Sequence, residues 1–472
     1  MMRQGWLGRV LHSIGTLFPR RRRWLALMAI LKRLARSPGG EALAEFPRWW
    51  RKLSQRNRHF VGAILVGLLI EFGVEGLHHH HIINTDFSMD WMIRMFEQTQ
   101  LPKEPIPVAW VDIDEEAYGN WGEPFHIPRD RLAGLMETVL ASRPKAVIVD
   151  VDLRRTGESA AADQELKKVI ATAGERCATY PEEPCPRLFL PLPMREVPGE
   201  GRIQKRPSFL DSVVGRAAHA QWVTVSYERG GDGMVRHWRL WEDVVGVKNR
   251  VVVSAQLAAV CAWNGKNLRT ATELLSIPKG ERDNSERREV CGIEAGAGHG
   301  DVSKRVFYTT PWYPDRRERA YPPWLTHLPS SLVESADEVS ALVAGKVVVL
   351  GASYSDSFDF HVTPLGTMPG ALVIINSLQS LFQYGEFHPP SPWVKAAITV
   401  FLITLLSIAF TLMPGFKAPL VSSVVIILVL LPLSFWVFRT GIWLDFALPL
   451  LGVQIHDIWA RIENHRHEGG HA

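Results

Sequence analysis

The sequence predicts an α/β extracytoplasmic domain with a mostly parallel sheet, plus four transmembrane helices, one amino-terminal and three carboxyl-terminal. Three observations predict it. Between residues 105 and 385, apolar runs that stop at polar loops alternate with helical periodicity, the pattern of a parallel sheet covered on both faces. Four apolar segments flank that region, near the length of about 20 residues that a hydrocarbon core requires. Charge is also unevenly placed. The net value is only +4, yet residues 1–58 carry 14 Arg and Lys against Glu41 and Glu45, as a cytoplasmic flank does.

The basic cytoplasmic segment, 1–58, reads as amphipathic helical material broken at Pro19, Ser37–Gly40 and Pro47, suited to lying on anionic lipid. Arg20–Arg23 before Trp24–Leu31 falls short of a twin-arginine export signal, since Lys32 ends the apolar run and no small-residue cleavage site follows. The first span is 59–77, with Glu71 and Glu75 near its far interface. His78–His81 follows it without the Cys or carboxylate pattern of a metal site, and no metal is expected there.

The extracytoplasmic domain, 78–390, opens with a strand, Pro107–Ile113, that runs out at Asp112 and Asp114. Pro128 starts a helix over Arg129–Ala141, with Leu132, Leu135, Met136, Val139 and Leu140 on one face. A second strand, Ala146–Val151, closes with Asp150 and Asp152, making a β-α-β unit with parallel strands. Next come a helix at Ala160–Ala171, a strand at Arg187–Leu192 and a hairpin of Trp222–Tyr227 with Met234–Leu240 across Gly230–Gly233. A helix at Val252–Trp263, a strand at Val306–Thr310 and a helix at Ser331–Leu342 complete the middle, with 265–304 and 311–325 as surface insertions. The strand Val347–Leu350 then stops at Gly351. A loop bearing Ser353, Ser355, Asp356, Asp359, His361 and Thr363 leads to an apolar helix from Gly370. Such a strand end is where open α/β sheets hold ligands.

Spans follow at 393–413, 418–438 and 441–460, and 461–472 forms a short cytoplasmic tail. Short linkers force alternation, so both chain ends are expected in the cytoplasm and the domain outside. Cys177, Cys185, Cys261 and Cys291 all lie in that outside region, where an even count favours pairing. Cys177 with Cys185 closes a short loop and Cys261 with Cys291 a longer one, among three connectivities.

The candidate ligand-binding residues are Asp112, Asp114, Glu115, Arg129, Asp150, Asp152, Ser353, Asp356, Asp359 and Thr363. Clustered acids raise one another's pKa or recruit a cation or cationic ligand. The same acids also cap helices and turns, with Arg129 neutralising one of them, and both readings stand at this stage. No catalysis is expected. Val111–Glu115 shares a D-x-D strand end with haloacid-dehalogenase phosphatases but has Glu115 where those carry Thr or Val. Ser353 and Ser355 lack a G-x-S-x-G elbow, and G-A-S-Y-S-D is no phosphate loop. No cofactor and no nucleic acid are expected.

Three stretches carry a family resemblance. VAWVDIDEEAYGNWGEPFHIPRDRLAGLMETV, AVIVDVDL and GKVVVLGASYSDSFDFHVTPLGTMPGALVIINSL resemble the opening, second-strand and closing blocks of the CHASE2 domain. The last includes the D-x-x-x-T-P element from Asp359 to Pro364, and Gly441–Asp445 matches a G-x-W-L-D entry to the final span. CHASE2 domains are extracytoplasmic sensors of bacterial transmembrane receptors. The resemblance implies a multi-pass protein of the bacterial inner membrane that detects an outside signal. Relatives of this kind continue into kinase or cyclase domains, whereas only twelve residues follow Ala460. Output is therefore expected from a separate cytoplasmic kinase or cyclase, or from another membrane subunit, and receptor architecture suggests a homodimer. The alternative is a structural or scaffold subunit of a membrane complex with no small-molecule ligand.

Overall fold

Strand β1 (Val108–Ile113) is buried along its whole length, as its unbroken apolar run requires of a central parallel strand. The computed structural model describes residues 103–385 apart from 158, 181–184, 198–201, 248–249, 276–286, 297–302, 315–319 and 336–338, together with Asp90, Ile93, Arg94, Ala397 and Phe401. The basic head, the His78–His81 tract, the four expected spans (but for Ala397 and Phe401) and the 461–472 tail lie outside the described residues. Among the described residues, no helix is long and apolar enough to cross a membrane.

From β1 the chain passes through a short helix α1 (Glu115–Asn120), helix α2 (Arg129–Ala141) and strand β2 (Ala146–Asp150). Helix α3 (Ala160–Thr179) is capped by the Ser159 hydroxyl. It outruns the expected Ala160–Ala171 by two turns, since neither Gly174 nor any later residue before Tyr180 breaks it. Strands β3 (Arg187–Pro191), β4 (Met194–Val197) and β5 (Arg202–Lys205), helix α4 (Asp211–Val214) and strand β6 (Ala220–Val223) follow. Then come β7 (Tyr227–Arg229), β8 (Val235–Arg239), β9 (Trp241–Val245), β10 (Val251–Val253), α5 (Ala255–Trp263) and α6 (Leu268–Leu275). The chain continues through β11 (Arg287–Val290), β12 (Ile293–Gly296), β13 (Ser303–Arg305), β14 (Leu325–Pro329), α7 (Ser330–Ser335) and α8 (Val339–Val343). It ends with β15 (Val347–Ala352), the hairpin β16 (Phe360–Thr363) and β17 (Gly366–Pro369), and helix α9 (Gly370–Tyr384).

Six strands form one wholly parallel sheet in the order β14-β1-β15-β2-β3-β6. Alternate residues point to opposite faces. Val108, Trp110, Ile148 and Val349 pack with α5 and α9 on one face. Ala109, Val111, Val149 and Leu350 pack with α2, α3, α7 and α8 on the other. The result is an α/β/α sandwich. A mixed four-stranded sheet β10-β9-β5-β4 and a three-stranded one, β13-β8-β7, stand beside it.

Four expectations are corrected. Ala220–Val223 belongs to the central sheet, and the hairpin starts only at Tyr227, pairing β7 with β8. Val251–Val253 is a strand before the helix that was expected from Val252. Val306–Thr310 is buried but is no strand, because its amides are taken by helix side chains: Phe307 N by Ser380 Oγ and Thr309 and Thr310 N by Asn376 Oδ1. Residues 326–330, to which no element was assigned, and Leu325, the last residue of the expected 311–325 insertion, supply the edge strand β14 (Leu325–Pro329) and the first residue of α7. Leu325 and Leu328 are three residues apart with polar Thr326 and His327 between them, so the segment lacks the period-two alternation that marks a strand.

Candidate functional site

The strand register sets the geometry. Asp112, Gly351 and Asp150 lie side by side on adjacent strands β1, β15 and β2. At about 4.8 Å per strand the two aspartates stand about 10 Å apart, with a glycine between them. That glycine is a steric necessity. A Cβ at Gly351 would lie 2.7 Å from the Ala371 Cβ, so only glycine lets the first turn of α9 settle against the strand end.

The ten sequence-predicted residues separate into two groups across this line. Asp112 is buried and engaged by His327 of β14, with Nε2 to Oδ2 at 2.8 Å. Asp114 caps α1, accepting from Ala117 N at 3.0 Å. Glu115 accepts from Ser355 N and Oγ at 2.8 and 3.0 Å, stitching α1 to the loop after β15. Ser353 continues the ladder by donating its amide to Ile113 O, and the buried Thr363 hydroxyl donates to Gly366 O inside the β16–β17 hairpin. These five residues are held in a cap, a turn and contacts between neighbouring strands and loops.

The other five line a cleft of about 940 Å³ beyond the ends of β2 and β3: Arg129, Asp150, Asp152, Asp356 and Asp359. Most of its charge is already matched. Asp152 takes the Arg154 guanidinium through both carboxylate oxygens, Oδ1 from Nε at 2.9 Å and Oδ2 from Nη2 at 2.6 Å. Burial acts to raise the Asp152 pKa, but the Arg154 hydrogen bonds and charge outweigh it and the carboxyl lies below its usual range. Asp356 accepts from the Tyr118 hydroxyl at 3.4 Å, and the Tyr118 ring stacks on Tyr354 at 4.1 Å. Across the cleft, Arg239 binds Glu228 at 2.8 Å and the buried Glu242 at 3.3 Å.

Asp150 and Asp359 are different. Burial first, and then the charge of the nearby Asp359, pushes Asp150 well above the usual carboxylate range. Asp359 also receives His361 Nε2 at 3.1 Å, and its carbonyl accepts the Gly370 amide at 2.8 Å. The carboxyl group thus sits on the first turn of α9, where a helix favours negative charge. A Cβ at Gly370 would lie 2.7 Å from the Asp359 Cγ, so any larger residue there displaces the Asp359 side chain.

Behind this pair is a polar cluster that sequence reasoning missed. The Tyr227 hydroxyl receives Gln256 Nε2 at 2.8 Å and lies 3.2 Å from Ser377 Oγ. Burial first, and then the nearby carboxyl groups against the Ser377 hydrogen bond, keep the phenol well above its ordinary pKa. A signal was present. Asn376, Ser377, Gln379, Ser380 and Gln383 interrupt an otherwise apolar helix that is buried nearly all round, and such residues need partners.

Arg129 completes the cleft. It is only 5% exposed and donates Nη2 to Asp152 O at 2.7 Å. Burial lowers its pKa, against the opposing charges of Asp163 and Asp152. Its Nε and Nη1 have no hydrogen-bond partner among the described residues. Nor, among those residues, does any group of three or more His, Cys, Asp or Glu stand ready to hold a metal ion. At the mouth, Phe125 and Phe358 are 83% and 88% exposed.

The four cysteines form two disulfides, Cys177–Cys185 and Cys261–Cys291. The family model of the CHASE2 domain matches residues 62–412. No curated protein matches the chain, and no solved structure does.

Proposed function

Since the chain belongs to the CHASE2 family, we propose that it is a sensor of the bacterial inner membrane whose α/β body reads an extracytoplasmic signal at the strand-end cleft. The signal passes through its membrane helices to a separate cytoplasmic kinase or cyclase, with the basic head on lipid and the chain acting as a homodimer. No catalytic step belongs to this reading.

One observation carries it. Helix α9 touches the cleft with its first residue, Gly370, against Asp359. Its last turns grip the segment by which the chain enters the domain: Gln379 bonds Ile106 N and O, and Gln383 Oε1 takes Lys103 N at 2.8 Å. Fifteen residues at 1.5 Å each make a rod of about 22 Å. A change at the carboxyl pair therefore acts on the two chain segments that, in sequence, lead to the first and second apolar runs. The two disulfides favour an oxidising compartment.

The test is topological and biochemical. A reporter inserted at the exposed Gly230–Gly233 turn is expected to respond only outside the cytosol, and one fused after Ala472 only inside. Capture of the full chain from native membranes is expected to bring a kinase or cyclase with it. A cytosolic signal from the 230–233 insertion overturns the reading.

A further inference from the structure

We infer that the Cys177–Cys185 disulfide is a thiol–disulfide exchange site, opened by a small dithiol while the fold stays intact, and that Cys261–Cys291 is not. The site is separate from the cleft and does not rest on the sensor reading, so failure of either leaves the other untouched.

The two bridges differ in what surrounds their sulfurs. Cys261 is wholly buried in the core that α5 shares with α9, and the half-buried Cys291 packs against that core. A thiolate attacking Cys291 has to expel Cys261 as an anion into apolar surroundings, and attack on Cys261 itself is closed by its burial. Cys177 and Cys185 are both half-buried, and both line a pocket of about 360 Å³ between the end of α2 and one side of α3. Around it Arg143, Lys168 and Arg176 outnumber Glu137 and Glu165. An excess of cations favours both the attacking and the departing thiolate.

The fold sets where this pocket lies. Arg129 opens α2 at the cleft, whereas Leu140 and Ala141 close it at the pocket. Pro191 ends β3 at the cleft, whereas Cys185 stands just before its first residue, Arg187. Cys177 belongs to the last turn of α3. The bridge therefore ties the end of α3 to the start of β3 across a sequence separation of 8, against 30 for Cys261–Cys291. Opening it frees one helix end and leaves the core beside α9 undisturbed.

The exchange balances with the dithiol as reductant. One of its thiolates attacks one bridge sulfur, the S–S bond breaks, and the other cysteine leaves as a thiolate and takes a proton. The second thiol of the reductant then displaces the first cysteine from the mixed disulfide. The reductant departs as a disulfide, having given two electrons and two protons to the two cysteines.

The experiment uses the full chain purified in detergent, with dithiothreitol as the dithiol. Thiols are trapped at timed intervals with N-ethylmaleimide and located by peptide mass spectrometry, in native buffer and in urea. Cys177 and Cys185 are expected to appear together in native buffer, at least about tenfold faster than Cys261 and Cys291, the margin that access and thiolate stabilisation set. In urea that margin is expected to collapse. In the double variant Lys168→Glu, Arg176→Glu, native opening of Cys177–Cys185 is expected to slow at least about threefold. The comparison of the two bridges on the unmodified chain needs no variant to fold. The inference fails if both bridges open at one rate in native buffer, if Cys261–Cys291 opens first, or if the margin persists in urea. An unchanged rate in the double variant overturns the part assigned to the cations.

Discussion

The Asp150 carboxyl holds its proton more tightly in the folded chain than in the unfolded one, so its effect on stability has a definite sign. Its contribution is fully present below the unfolded carboxylate value of about 3.9 and is lost as pH rises through the higher folded value. Asp359, His361 and Tyr227 are the titratable groups facing it. In Asp150→Asn, denaturant unfolding across that window is expected to show a flatter pH profile, with the variant gaining on the parent towards neutrality. A steeper profile would contradict the raised Asp150 pKa. Gly370→Ala tests the same spot sterically. A Cβ there meets the Asp359 carboxyl group, so a loss of about 1–3 kcal/mol is expected by urea titration. At this scale the sequence was half legible. It pointed to Asp150, Asp359 and Arg129 as strand-end and helix-entry residues, but gave no sign that His327 would claim Asp112, because that pairing depends on β14 lying beside β1.

Among the elements, helix α9 departs from ordinary amphipathic behaviour. Both of its long sides are buried, and its polar residues stand in for a missing strand. Asn376 accepts from Thr309 N and Thr310 N and donates to Thr310 O, each at 2.9–3.0 Å. Asn376→Leu leaves those amides buried without an acceptor, and a cost of about 2–4 kcal/mol is expected in thermal or urea unfolding. A cost below 1 kcal/mol would mean that water or a shifted loop replaces the side chain. Helix α5 carries the other structural tie, Cys261–Cys291, which spans 30 residues. Removing it as the Cys261→Ser, Cys291→Ser pair is expected to cost about 3–4 kcal/mol, from the loop-closure entropy restored to the unfolded chain. Of the six parallel strands, β1, β2, β3 and β15 could be read from their apolar runs, and so could the helices that cover them. The small sheets could not. Strands of three to five residues with mixed polarity, such as β7 and β13, take their form from neighbours distant in sequence.

For the molecule as a whole, the family and the α/β body were legible because long motifs such as the closing block tie many residues to one arrangement. The strand order was not. Sequence alone suggests that β1 and β2, joined by one helix, are neighbours, whereas β15 from the far end of the domain lies between them. That insertion has a consequence for how the protein is made. A nascent chain that has emerged only as far as β14 holds two halves of a sheet with exposed inner edges and nothing to bridge them. Neither half can mature until the final segment arrives, so completion is deferred to the last moments of synthesis. Chains arrested before Lys346 are expected to be degraded by added protease within the time that chains arrested after Tyr384 survive. Survival of the shorter chains would show that the two halves close without their keystone.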